Sequence, residues 1–333
     1  MARKIMRKAP PPRRKSGCGS CIATLLTMAV IAGLGVFLAV YLTDAESPRD
    51  LIPEDFHPGD FIPNLDEFFY ENPFNATTPE DANRWRGTSN TGGLSLELVN
   101  ALDPEWNDFF DLAVAEWEAG DPDVLTLSVS YDTPEAACSP IRGKMKVCNG
   151  NYGDTRWKGI NVVSLINDEI IESSAKMNEY YLKNGSDEQR QYTMCHEIGH
   201  GFGLPHTDEN FNNRDTGECM DYTRTPSNNM SPGPENFLFL YEMYGVAKRR
   251  SFLRKLTAGM TSKILAEEDK IYEMVREEML EAVKQIEERT DGQEHLDGWY
   301  EEHRNEFGSL HSRDFGEGYT VKVAKLLVAP DEL

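Results

Sequence analysis

Residues 196 to 206 read His196-Glu197-Ile198-Gly199-His200-Gly201-Phe202-Gly203-Leu204-Pro205-His206, which sets three imidazoles and one carboxylate at spacings that suit a single zinc ion. Positions i and i+4 of a helix share a face, so His196 and His200 can both point at one ion. Glu197 adjoins His196, and its carboxylate can reach a water on that ion without binding the metal, where a general base is needed. His206 lies six residues beyond His200 and is out of reach along a straight helix. Gly203 supplies the turn, because glycine takes positive φ at little cost, and Pro205 discourages a return to helix. Three protein ligands leave a fourth position open, which marks a catalytic rather than a structural zinc site. His57, His295, His303 and His311 show no ligand spacing and read as ordinary surface residues.

The elements that must position this motif are also legible. Ser186 reads as a helix N-cap with Gln189 three residues on, and Asp187 and Glu188 complement the dipole in the first turn. The motif helix therefore runs from near Asp187 to Phe202. Leu94, Leu96 and Leu98 alternate with polar residues as a strand, and Asp103-Pro104 opens a helix with Trp106, Phe110, Ala113 and Trp117 on one face. Val124 to Tyr131 and Gly159 to Leu165 read as further strands, and Ser174 to Tyr181 as an edge strand on which an extended substrate could pair. Ile264, Ile271, Val275, Ala282 and Ile286 follow helical spacing, and Tyr319 to Val328 reads as a final strand.

The pattern H-E-x-x-H-x-x-G-x-x-H resembles the zinc signature of the metzincin clan of metalloendopeptidases, with the subfamily, matrixin or astacin-like, unresolved. The resemblance implies a methionine in a tight turn beneath the metal, and Cys219-Met220-Asp221-Tyr222 places Met220 in that role. It also implies that Tyr222 helps stabilise the tetrahedral intermediate, as a tyrosine two places after the turn methionine does in astacins and serralysins. Asp208 resembles the acidic residue found near the third ligand in some clan members. The expected fold class is α+β: the resemblance implies a metzincin-like catalytic domain, with a twisted mixed sheet, an active-site helix and a small lower subdomain, and the rest of the sequence adds an N-terminal transmembrane helix and a C-terminal helical extension. The implied activity is zinc-dependent cleavage of peptide bonds in extracellular or luminal proteins, with Glu197 as general base, His196, His200 and His206 as metal ligands, Tyr222 as a catalytic aid and Zn2+ as cofactor. The alternative is a catalytically inactive relative that binds peptides or acts at the cell surface.

Cys21 to Thr43 is an uncharged, apolar run of 23 residues, long enough to cross a bilayer as a helix. Arg3, Lys4, Arg7, Lys8, Arg13, Arg14 and Lys15 precede it with no acid among them, which puts that end in the cytosol and the rest outside or in a lumen. This predicts a single-pass type II membrane protein, with secretion after signal cleavage as the alternative. The chain carries 34 basic and 56 acidic residues, a net charge of −22, and all of its acid lies beyond the apolar run. Such a surface disfavours nucleic acid. Cys138, Cys148, Cys195 and Cys219 admit three pairings in an oxidising compartment, of which Cys138 with Cys148 and Cys195 with Cys219 are preferred; the second would tie the active-site helix to the methionine turn. Asn75 and Asn184 head glycosylation sequons, and that at Asn229 is weakened by Pro232.

The expected organisation is a cytosolic tail (1–20), a signal anchor (21–43), a stalk or pro-segment (44–90), a zinc peptidase domain (91–245) and a mainly helical extension (246–333). The expected partners are a protein or peptide substrate and the membrane, and the Asp331-Glu332-Leu333 end resembles a retrieval tail with Pro330 where lysine or histidine is usual.

Overall fold

The computed structural model describes residues 78–329, apart from 80, 88–91, 211–212, 246–257 and 290–295. The apolar run at 21–43, the sequon at Asn75 and the terminal Asp-Glu-Leu lie outside the described residues, among which no helix is long and apolar enough to cross a membrane. The chain runs β1 (Arg84–Trp85), β2 (Leu94–Ala101), α1 (Asn107–Glu118), β3 (Leu125–Tyr131), β4 (Lys144–Gly150), β5 (Trp157–Ile166), β6 (Glu169–Asn178), α2 (Glu179–Leu182), α3 (Asp187–Gly201), α4 (Pro234–Leu240), α5 (Ala258–Glu287), β7 (Tyr300–Arg304), β8 (Gly308–Gly316) and β9 (Tyr319–Leu327). The fold is mixed α+β. Its nine-stranded sheet has the order β3-β2-β4-β6-β5-β9-β8-β7, with β1 pairing β6 off that path.

One half of the sheet is parallel (β3, β2, β4, β6) and the other antiparallel (β5, β9, β8, β7). Both faces are covered. On one, α1 and α3 pack Phe110, Trp117, Met194 and Ile198 against Leu98, Met145 and Ala175 of the strands. On the other, Met279, Ala282, Val283 and Ile286 of α5 pack against Trp157, Ile160, Val162, Val321 and Val323. Burying side chains of this size is worth roughly 1.5–3 kcal/mol each, which is why α5 holds to a sheet face that alternating sequence would leave in water. The end of α5 is also tied down: Lys176 on β6 pairs with the nearly buried Glu287, and Trp157 Nε1 donates to Glu287 O at 2.8 Å.

Three expectations are corrected here. Residues 174–178 belong to β6, which is flanked on both sides by β4 and β5 and offers no edge to a substrate. The expected helical extension is a long helix followed by three strands, and β9 pairs with β5 along nearly its whole length, from Trp157↔Leu327 to Ile166↔Tyr319, so these residues complete the central sheet. The expected stalk to residue 90 overlaps the fold, since Arg84 and Trp85 form β1 and the buried Trp85 indole donates to Gly201 O at 2.8 Å, at the end of the motif helix.

Candidate metal centre

Ser186 caps α3 as expected, its Oγ accepting from Gln189 N–H at 3.2 Å, and the helix carries His196, Glu197 and His200 to its last turn. Gly203 then turns the chain with φ of 95°, pressed so closely against Asn83 O that a side chain has no room. The turn brings His206 back beside the helix. His200 Nε2 lies 3.1 Å from His196 Nε2 and 3.0 Å from His206 Nε2.

What faces these nitrogens from behind decides their chemistry. His196 Nδ1 is 2.7 Å from Cys219 O, His200 Nδ1 is 2.9 Å from Leu204 O, and His206 Nδ1 is 2.9 Å from Glu209 Oε1. Carbonyl and carboxylate oxygens accept, so each ring places a proton on Nδ1 and turns its Nε2 inward. Burial, and then the neighbouring imidazoles, hold His196 well below the usual histidine range, and the same causes push His200 down to about 3, so these two rings stay neutral. Lone pairs 3 Å apart repel unless a cation lies between them. The three could hold one ion between them, since their ligand atoms all lie within 4.8 Å of one another. Among the described residues this is the one cluster of histidine, cysteine and acidic side chains able to hold a metal.

Glu197 is fully buried, with its carboxylate lying against Gly159 of β5, and neither of its oxygens has a hydrogen-bond partner in the protein. Its backbone is fixed, because Asn161 Nδ2 donates to Glu197 O at 2.8 Å. Burial raises its pKa well above the ordinary carboxylate range. A buried carboxylate of this kind is what a water or substrate amide would satisfy.

Beneath the helix, Met220 is fully buried and its sulfur lies where a Cβ at Gly199 would be, so the motif needs glycine there for a reason of packing. Tyr222 is stacked on His196 with ring centroids 5.9 Å apart and tilted against His206 at 4.1 Å. Burial, and then the charge of Glu209, raise the Tyr222 phenol well above its usual value, which keeps its proton on. Among the described residues there are two disulfides, Cys138–Cys148 and Cys195–Cys219, and the second joins the helix to the segment bearing Met220.

The structure departs from the sequence reading at three polar residues. Asp208 turns its carboxylate to Asn210 N and Asn213, and it is Glu209 that meets the third imidazole. His303 is no ordinary surface residue, since its Nε2 lies 2.7 Å from Glu209 Oε2, and His311 is buried. Glu209 sits three residues after His206, a spacing that could have drawn notice; nothing in the local sequence connects His303 to either. Burial alone would raise Glu209, but hydrogen bonds and charge from His206 and His303 outweigh it and lower its pKa. Asn229 is fully buried with its amide donating to Asp221, which removes it as a glycosylation site, whereas Asn184 is exposed.

A cavity of about 460 Å³ opens on His200, His206 and Tyr222, with Val163, Ile170 and Leu204 on its apolar side and His303, Leu310 and Lys322 contributed by the C-terminal strands. No family model, curated protein or solved structure matches the chain.

Proposed function

We propose that this chain is a zinc-dependent endopeptidase of the metzincin kind. The observation that carries the reading is the convergence of three histidine Nε2 atoms beside a buried carboxylate that has no protein partner. Zinc, when bound, supplies a Lewis acid that brings the pKa of a coordinated water toward about 7 and polarises a carbonyl. Glu197 takes the proton of the attacking water and hands it to the leaving amine, and its raised pKa suits it to holding that proton between the two transfers. The protonated Tyr222 hydroxyl is a donor for the oxyanion that develops on the substrate. The substrate approaches through the cavity beside His200 and His206, because the strand nearest Glu197, β5, is paired on one edge with β6 and on the other with β9.

Two disulfides suit an oxidising compartment, and with the basic tail and apolar run at 21–43 they support a type II membrane protein whose catalytic part is extracellular or luminal. The test uses the full chain in detergent. One zinc per chain and chelator-sensitive cleavage of a denatured protein are expected, with Glu197→Gln retaining zinc and losing turnover. Equal cleavage by Glu197→Gln and the wild type would refute the reading.

A further inference from the structure

The three metal-facing imidazoles are not held alike. His196 and His200 rest on the backbone carbonyls of Cys219 and Leu204, whose positions are set by a disulfide and by the turn that ends the helix. His206 rests on a side chain. Glu209 has three torsions to settle, and one oxygen bound to His206 does not settle them. Its other oxygen, Oε2, lies 2.7 Å from His303 Nε2 on β7 and 3.4 Å from Asn305 Nδ2 in the turn that leads from β7 to β8. Glu209 and His303 are largely buried, with side-chain exposures of 12% and 20%, so the pair is shielded from the water that weakens surface contacts. These strands are firmly seated: Phe307 is buried in the same core as α3, and Gly308 lies so close under the Tyr222 hydroxyl that a side chain there would collide with it.

From this geometry we infer that His303 is a positioning residue of the metal centre, acting through Glu209 to fix the tautomer and orientation of His206. The inference rests on the zinc peptidase reading for the identity of the ion. It makes the C-terminal strands a working part of the site, since without them the third ligand is held by a carboxylate free to turn away. Carboxylates that orient a ligand histidine typically contribute about 10–100-fold to metal affinity.

The test measures zinc affinity of the full chain in detergent, by competition with a chromophoric chelator, with the thermal midpoint of each variant as a check on folding. Glu209→Gln, which keeps the shape and loses the charge, is expected to weaken zinc binding by about tenfold or more, and His303→Ala by roughly threefold to tenfold. His303→Gln retains an N–H donor and is expected to stay within about twofold of the wild type, as is Tyr300→Ala, an exposed position on the same strand. Wild-type affinity in a folded His303→Ala overturns the inference and leaves the peptidase reading intact. So does a loss in His303→Gln as large as that in His303→Ala at an unchanged thermal midpoint. Should His303→Ala not fold, Glu209→Gln and His303→Gln decide by the same criteria. A wild-type chain that binds no zinc overturns both readings.

Discussion

Replacing Cys195 and Cys219 together with alanine cuts the one covalent tie between the motif helix and the methionine turn. Cys195 precedes His196, and the carbonyl of Cys219 is the acceptor that fixes the His196 ring. The two cysteines are separated by 24 residues, and closing a loop of that length lowers the entropy of the unfolded chain enough to contribute about 3.5 kcal/mol. The other disulfide, Cys138–Cys148, spans 10 residues, for which the same relation gives about 2.8 kcal/mol, and it sits in a separate small cluster with Ala101. In a fold of this size each kcal/mol moves the thermal midpoint by roughly 2–4 °C, so the two double variants should fall by comparable amounts, on the order of 10 °C. Zinc affinity should part them. Loss of the His196 acceptor's anchor is expected to weaken zinc by about tenfold in Cys195→Ala/Cys219→Ala, whereas Cys138→Ala/Cys148→Ala should bind as the wild type. Thermal unfolding followed by circular dichroism, and chelator competition at a temperature where all forms are folded, give the two quantities. The reasoning fails if both variants lose zinc alike, or if cutting Cys195–Cys219 costs less than about 1 kcal/mol.

Gly199→Ala drives a methyl group into Met220 and the Trp117 ring, and overpacking of that kind should cost about 1–3 kcal/mol; an unchanged urea midpoint would show that the turn has room to give. Lys176→Met strands Glu287 in the apolar contact between β6 and α5, with an expected loss of about 3–5 kcal/mol that Lys176→Met/Glu287→Leu largely restores; equal stabilities for the two in urea would argue against a buried ion pair. His311 is depressed to about 4, first by burial and then by the charge of Lys325. The unfolded chain, with a histidine near 6.5, therefore binds the proton more readily than the folded one. Stability on this account is full above about pH 6.5 and falls as pH drops toward 4, by up to about 3 kcal/mol, and His311→Gln should flatten that part of the stability curve. A slope unaltered in the variant would assign the effect elsewhere.

Much of the site was legible because its logic is local. The i, i+4 histidines, the Ser186 cap, the turn at Gly203 and the apolar face of α1 all follow from helical periodicity and the φ preferences of single residues. β4 escaped such a reading, since Lys144-Met145-Lys146-Val147 carries two charges in four residues, yet Lys146 is buried and pairs with Glu135 in the segment after β3. His303 and His311 resembled surface residues for the same reason: a side chain's partner across the fold leaves no mark beside it in the chain.

The amino-acid order alone thus determined which atoms could converge on one ion, because residues a few positions apart are joined by a backbone with few allowed shapes. Tertiary structure decided the rest: that β6 lies inside the sheet, that β9 takes the free edge of β5, and that Glu209 stands between His206 and His303. Those outcomes depend on which strands pair and in what register, and register is selected by the burial of whole faces against α3 and α5, a sum over distant residues that no single segment contains.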